Sequence, residues 1–186
     1  MLERCSWAMR SPEELEYHDH EWGVMSHDDH HLFEMVILEG AQAGLSWTTV
    51  LRKREGYRTA FAHFDPALVA NFDEEMIQDL LKQPAIIRNE RKIRAAVQNA
   101  RAFLQIQQEY GSFDGFLASM PGDATQHNHW ATMQDVPAAT PESDLLSARL
   151  KEKGFTFVGS TICYAFMQAT GRVNDHITSC FRYQQR

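Results

Sequence analysis

Apolar side chains recur along this chain at helical spacing. From Asp28, the residues Leu32, Phe33, Val36 and Ile37 fall at i, i+1, i+4 and i+5, which is one stripe of a 3.6-residue period. After Ser46, a candidate cap, Trp47, Val50, Leu51 and Tyr57 form a second inward face that Gly56 is expected to interrupt. Asn89 caps the most periodic run, with Ile93, Ala96, Val97, Ala100 and Phe103 on one side. Ser11-Pro12-Glu13-Glu14 has a cap serine, proline at the first helical position and glutamate three residues after the cap, so a short helix carrying Tyr17 and His18 follows. Asp65-Pro66 and Asp73-Glu74-Glu75 start two more. Thr140-Pro141 opens a helix ending near Gly154, and Gly159 and Gly171 bracket a very apolar one. Between Pro121 and Pro141, three of the six prolines and many polar residues mark a long connection with little regular structure. No run alternates with period two and no segment repeats. The pattern predicts an all-α protein.

At 186 residues, 44% hydrophobic and 23% charged, the chain can build one substantial core or two small lobes, and disorder is not its main state. The first ten residues lack an apolar leader and no run approaches the ~20 residues of a membrane span, so a cytoplasmic protein is expected. A net charge of −7 argues against a strongly basic nucleic-acid binder. Positive charge is nevertheless gathered in two segments, Arg52-Lys53-Arg54 with Arg58, and Arg88, Arg91, Lys92 and Arg94. Either they are solvated helix faces or they meet phosphate. The second set follows a proline turn and surrounds a new helix N-terminus, where free N–H groups suit a DNA backbone; helix pairs of this kind are also plain packing units.

Four residues at the two ends form a candidate metal site: Cys5 and His18 near the start, His176 and Cys180 near the finish. The i, i+4 spacing of the second pair puts both groups on one side of a helical turn. Two nitrogens and two sulfurs suit zinc, and a closed set of four leaves no open position for a substrate, so the metal would serve folding. With 9 His and 3 Cys, chance pairing accounts for the spacing equally well. Cys163 lies in an apolar run and reads as a buried small residue.

Trp7, Tyr17 and Trp22 crowd the N-terminal pair, and Trp47 adds another ring. They either pack the core or form a slot in which a nucleobase stacks. Glu39 follows Val36-Ile37-Leu38 and precedes Gly40-Ala41-Gln42-Ala43-Gly44-Leu45, with no cation nearby in sequence. It is either an exposed carboxylate at a helix end or two acceptor oxygens lining that slot.

Assembled, these residues resemble the bacterial DNA-3-methyladenine glycosylase I family, of the constitutive Tag type, over essentially the whole chain. The resemblance runs through Cys5-Ser6-Trp7, Tyr17-His18-Asp19-His20-Glu21-Trp22-Gly23-Val24, Leu38-Glu39-Gly40-Ala41-Gln42-Ala43-Gly44-Leu45-Ser46-Trp47 and Lys53-Arg54-Glu55. It continues through Ile86-Ile87-Arg88-Asn89, Lys92-Ile93, Asn99-Ala100-Arg101-Ala102, Gly154-Phe155, Phe157-Val158-Gly159, Tyr164-Ala165-Phe166-Met167-Gln168-Ala169 and Val173-Asn174-Asp175-His176.

The resemblance implies a helix-hairpin-helix glycosylase fold in one unit of two helical lobes. The hairpin lobe would span about 46–120, and a terminal lobe of about 1–45 plus 121–186 would be joined by one structural zinc ion on Cys5, His18, His176 and Cys180. It implies excision of N3-methyladenine from alkylated double-stranded DNA by a monomeric enzyme. Glu39 would read the base edge as the catalytic residue, Tyr17 would assist, Trp47 would stack, and Trp7 and Trp22 would wall the pocket. Gly44 and Leu45 would approach the gap left by the extruded nucleotide, with Arg88 and Lys92 toward the backbone. Other helix-hairpin-helix glycosylases use a catalytic aspartate that this family lacks, and no second carboxylate is placed by the sequence to activate water. Where the family usually has glycine in the hairpin, this chain has Pro84-Ala85-Ile86-Ile87, and an alanine does not readily take positive φ. Two rival readings are a metal-dependent phosphohydrolase built on His18-Asp19 and a non-catalytic zinc-stapled DNA-binding module; the cysteines oppose the first and Glu39 has no use in the second.

Overall fold

Polar caps set the helix starts where the sequence places them. In the computed structural model, which describes residues 2–121 and 125–183, Ser11 Oγ accepts from the Glu14 N–H and opens α1 (Pro12–His20). Asp28 opens α2 (Asp29–Gln42) and Ser46 opens α3 (Trp47–Ala60). Asp65 and Asp73 start α4 (Pro66–Val69) and α5 (Glu74–Leu80), and Asn89 starts the long α6 (Glu90–Tyr110). α7 (Phe113–Ala118), α8 (Pro141–Glu152) and α9 (Ser160–Ala169) complete a mostly helical chain. Each cap satisfies an N–H that the helix cannot, worth typically ~1 kcal/mol.

The structure departs from the sequence pattern in four places. α3 runs straight through Gly56, because that glycine serves packing: a Cβ there would lie 2.2 Å from the Ala85 carbonyl oxygen of the α5–α6 turn. The turn itself contains no left-handed residue, so alanine at position 85 is compatible with it. The long connection contributes a short strand, β1 (Gln126–His127), paired in parallel with β2 (Val173–Asn174); residues 122–124 of that connection lie outside the described residues. Residues 176–180 form a hydrogen-bonded turn, closed by Cys180 N–H to Ile177 O at 2.8 Å, rather than a stretch of helix.

α2 is the axis of the core. Every residue from Leu32 to Ala41 is buried, well beyond the predicted stripe, because α3, α6, α7 and α9 pack around it. A stretch of helix covered on all sides has no polar face to offer water, so the two carboxylates within it, Glu34 and Glu39, are buried too. Among the described residues, no helix is long and apolar enough to cross a membrane.

Candidate active site and metal centre

Three residues of the two basic segments, Arg54, Arg58 and Lys92, act as internal struts. Arg54 makes a two-pronged ion pair with Glu21 at 2.7 and 2.8 Å and reaches Glu34 at 2.7 Å, and Arg58 also holds Glu34. Against the upward push of burial, hydrogen bonds from His31 and Arg54 keep the Glu21 carboxyl down at about 2. The network ties the end of α1, next to Trp22, to α2 and α3. Lys92 donates to the carbonyls of Ala41 and Ala43 at 2.8 and 2.6 Å, capping the C-terminus of α2 below Glu39. Arg88 is exposed at the α5–α6 turn, and Gly44 and Leu45 are exposed between α2 and α3.

The four sequence-predicted ligands meet. Cys5, His18, His176 and Cys180 are all buried, with ligand atoms within 4.8 Å of one another. Cys180 Sγ lies 3.5 Å from His18 Nε2 and 3.6 Å from His176 Nδ1, and Cys5 Sγ lies 3.8 Å from His176 Nδ1. Zinc bonds of ~2.3 Å to sulfur and ~2.0 Å to nitrogen, arranged tetrahedrally, separate neighbouring ligands by about 3.5 Å. The free nitrogen of each ring is also taken: His18 Nδ1 pairs with Asp19 at 2.8 Å, itself gripped by Arg4, and His176 Nε2 faces the Trp22 carbonyl at 3.3 Å. Such outer partners orient imidazoles for a metal. Hydrogen bonds from Cys5, His176 and His18 lower the Cys180 thiol, so the cluster already favours a thiolate. The donor set and its spacing fit a divalent metal such as zinc.

This cluster abuts a cavity. Trp22 packs edge-on against His176 with centroids 4.6 Å apart and lies parallel to His18, while Trp7 meets His18 and Trp22 at 5.2 and 5.0 Å. On their far side Trp7, Tyr17, Trp22, Glu39 and Trp47 line a cavity of about 350 Å³, at the small end for ligand pockets. Tyr17 and Trp47 are 5.4 Å apart, inclined at 57°. All five residues proposed from sequence therefore share one space. A larger cleft of about 550 Å³ lies near Leu117, Leu145 and Met167, but its buried cation Arg172 is already paired with Asp114. Chemistry, not size, singles out the smaller one.

Glu39 is 4% exposed, and burial, with no cation or donor among the described residues to offset it, pushes its carboxyl up to about 8. Burial, then the charge of Glu39, also raises the Tyr17 phenol well above its usual range. Three residues lining the cavity each bury a polar atom that has no hydrogen-bond partner among the described residues: Tyr17 Oη, Trp47 Nε1 and Glu14 Oε2. Buried Asp175 shows the contrast. It accepts from Asn128, Trp130, Tyr164 and Gln168 at 2.5 to 2.7 Å, a fully satisfied strut that fixes His176 and the Gln168 side of the pocket. Native interiors rarely tolerate orphaned polar atoms, so their convergence around one cavity marks a ligand site. The sequence reading missed Glu14. Its position three residues after the cap suggests a reciprocal bond to Ser11, but its Oε1 accepts instead from Thr48 Oγ1 at 2.8 Å.

The chain is similar to known proteins over nearly its full length. Residues 7–183 match the family model described as methyladenine glycosylase. The chain is 49% identical over 182 residues to DNA-3-methyladenine glycosylase 1 of Escherichia coli, covering 98% of this chain and 97% of that protein. It superposes with a TM-score of 0.93 on a crystal structure of 3-methyladenine DNA glycosylase I, at 50% identity over 96% of this chain and 98% of the other. A Staphylococcus aureus structure, solved to show how 3-methyladenine is recognised, matches with a TM-score of 0.92 at 35% identity, over 96% and 95% of the two chains. The chain belongs to the methyladenine glycosylase family.

Proposed function

We propose that this protein hydrolyses the N-glycosidic bond of N3-methyladenine in alkylated DNA, releasing the free base and leaving an abasic site. The observation that carries this reading is the buried Glu39, with no charge partner among the described residues, in a cavity walled by tryptophans. N3-methylation makes the ring cationic while it is attached to sugar and neutral once released. Little general-acid help is then needed. A cation entering the pocket would reverse the burial effect on Glu39, because an opposite charge a few ångströms away favours the ionised carboxylate. Normal adenine carries no charge and gains nothing from it. Glu39 would accept from the base edge, Tyr17 would add a hydrogen bond, and Trp47 would stack on the ring face, where a cation is drawn to the ring quadrupole. Trp7 and Trp22 would close the sides. The target must leave the duplex to enter, at a cost of a few kcal/mol that is least for a damaged base.

Zinc on Cys5, His18, His176 and Cys180 would act structurally, pinning the two ends of the chain against the pocket walls. The α5–turn–α6 pair fits a helix-hairpin-helix role, with Arg88 and the α6 N-terminus toward the phosphate backbone. Gly44 and Leu45, exposed beside Trp47, suit the gap in the duplex. On this reading the 46–120 lobe contacts DNA and the metal-joined terminal lobe holds the base. Incubation with methylated DNA tests it: N3-methyladenine should appear in the soluble fraction and survive brief chelation. Release of phosphate, or of nothing, overturns it.

A further inference from the structure

Hydrolysis consumes a water, and the proton that water loses needs an acceptor. Of the polar groups around the cavity, Glu39 and Tyr17 are engaged with the base, Arg10 and the tryptophan N–H groups only donate, and Ser6, Gln42 and Gln168 offer only weakly basic oxygens. Glu14 remains. It lines the cavity and is 2% exposed; one oxygen is anchored by Thr48, and the other is buried with no partner among the described residues. Glu14 lies one turn before Tyr17 on α1, toward exposed Arg10 rather than toward the metal cluster. Its anchor Thr48 belongs to the first turn of α3, directly after the exposed residues 44–46. Exposed Arg10 and residues 44–46 therefore flank Glu14 on the side of the pocket nearer solvent. A flipped nucleotide enters base first, and its sugar, still tied to the DNA, comes to rest at the mouth.

We propose that Glu14 is a second catalytic carboxylate, holding the attacking water at the sugar C1′ while Glu39 holds the base; this rests on the glycosylase reading above. As the C1′–N9 bond breaks, its electron pair passes to the base and cancels the ring's positive charge. The water oxygen bonds to C1′ and its proton passes to Glu14 Oε2, which later yields it to solvent. A carboxylate at that place also faces the positive charge that develops on the sugar. Thr48 acts as a positioning residue, aiming the free oxygen by holding the other one.

The test compares single-turnover excision of N3-methyladenine, affinity for the free base and melting temperature in wild type, Glu14→Gln and Thr48→Val. Glutamine keeps an acceptor for Thr48 but cannot take the proton. Excision by Glu14→Gln should fall about 100-fold, at the low end for acid–base groups because the leaving group is already activated. Free-base affinity should stay within a factor of two or so of wild type, since the free base has no sugar. Thr48→Val keeps the carboxylate yet loses its aim, and should slow excision by about 10-fold, again with base affinity intact. An unchanged rate in Glu14→Gln, or base affinity falling in step with rate, overturns the assignment. Should Glu14→Gln melt early, Thr48→Val decides alone by the same criteria. Failure of the wild type to release base would instead overturn the glycosylase reading and this assignment with it.

Discussion

Replacing Glu39 by glutamine should make the protein more stable and far less active. The folded chain binds the Glu39 proton more tightly than the unfolded chain, since burial raises the carboxyl from 4.5 to about 8. Stability drawn from that proton is complete below pH 4.5 and is lost as pH rises through 8. At about 1.36 kcal/mol per pH unit, the loss is roughly 3 kcal/mol at pH 7 and approaches roughly 5 kcal/mol above pH 8. Glutamine has the shape of the protonated acid and never ionises, so the variant escapes the loss. Urea melts at pH 5, 7 and 9 should show nearly equal stability at the lowest pH and a widening advantage for Glu39→Gln. At pH 7 the gain corresponds to a rise of about 6–12 °C in Tm for a chain of this length. Excision at pH 7 should meanwhile fall by about 10- to 150-fold, the worth of hydrogen bonds to a charged acceptor. A variant no more stable than wild type at pH 9, or a stability gap that does not grow with pH, refutes the argument that burial governs this carboxylate.

Three further outcomes follow from the same geometry. Cys180→Ala should lower bound zinc and stability together, by about 4 kcal/mol or more as expected when a structural metal is lost; full zinc content by elemental analysis would refute the metal assignment. Trp47→Ala should weaken binding of free 3-methyladenine by about 1–3 kcal/mol, measured by titration, because a stacking face is removed while Glu39 stays. Gly56→Ala should destabilise the fold by about 3 kcal/mol in a urea melt, since the added methyl meets the Ala85 backbone at 2.2 Å and the turn must move; wild-type stability would show that the turn yields freely.

Features that depend on near neighbours or on residue type are legible along the chain. Ser11, Asp28, Ser46, Asp65, Asp73, Asn89 and Thr140 mark helix starts because a cap acts within its own first turn. Cys5, His18, His176 and Cys180 were legible only as a candidate set, from ligand type and the i, i+4 spacing of the last two; that the four meet is a result of folding. Features that depend on what lies across a packed interface emerge only on folding. Glu39 reads in sequence as a carboxylate near a helix end, and only the helices closed around α2 bury it and raise its affinity for a proton. Arg54 and Lys92 look available for phosphate until Glu21, Glu34 and the end of α2 are seen to claim them. Glu14 carries the sequence signature of a cap partner, yet Thr48, 34 residues away, takes one oxygen and leaves the other at the cavity. Spacing along a chain reports which groups can share a helix face; whether a charge is buried, paired or left waiting is set by solvent exclusion and by partners that only folding brings near.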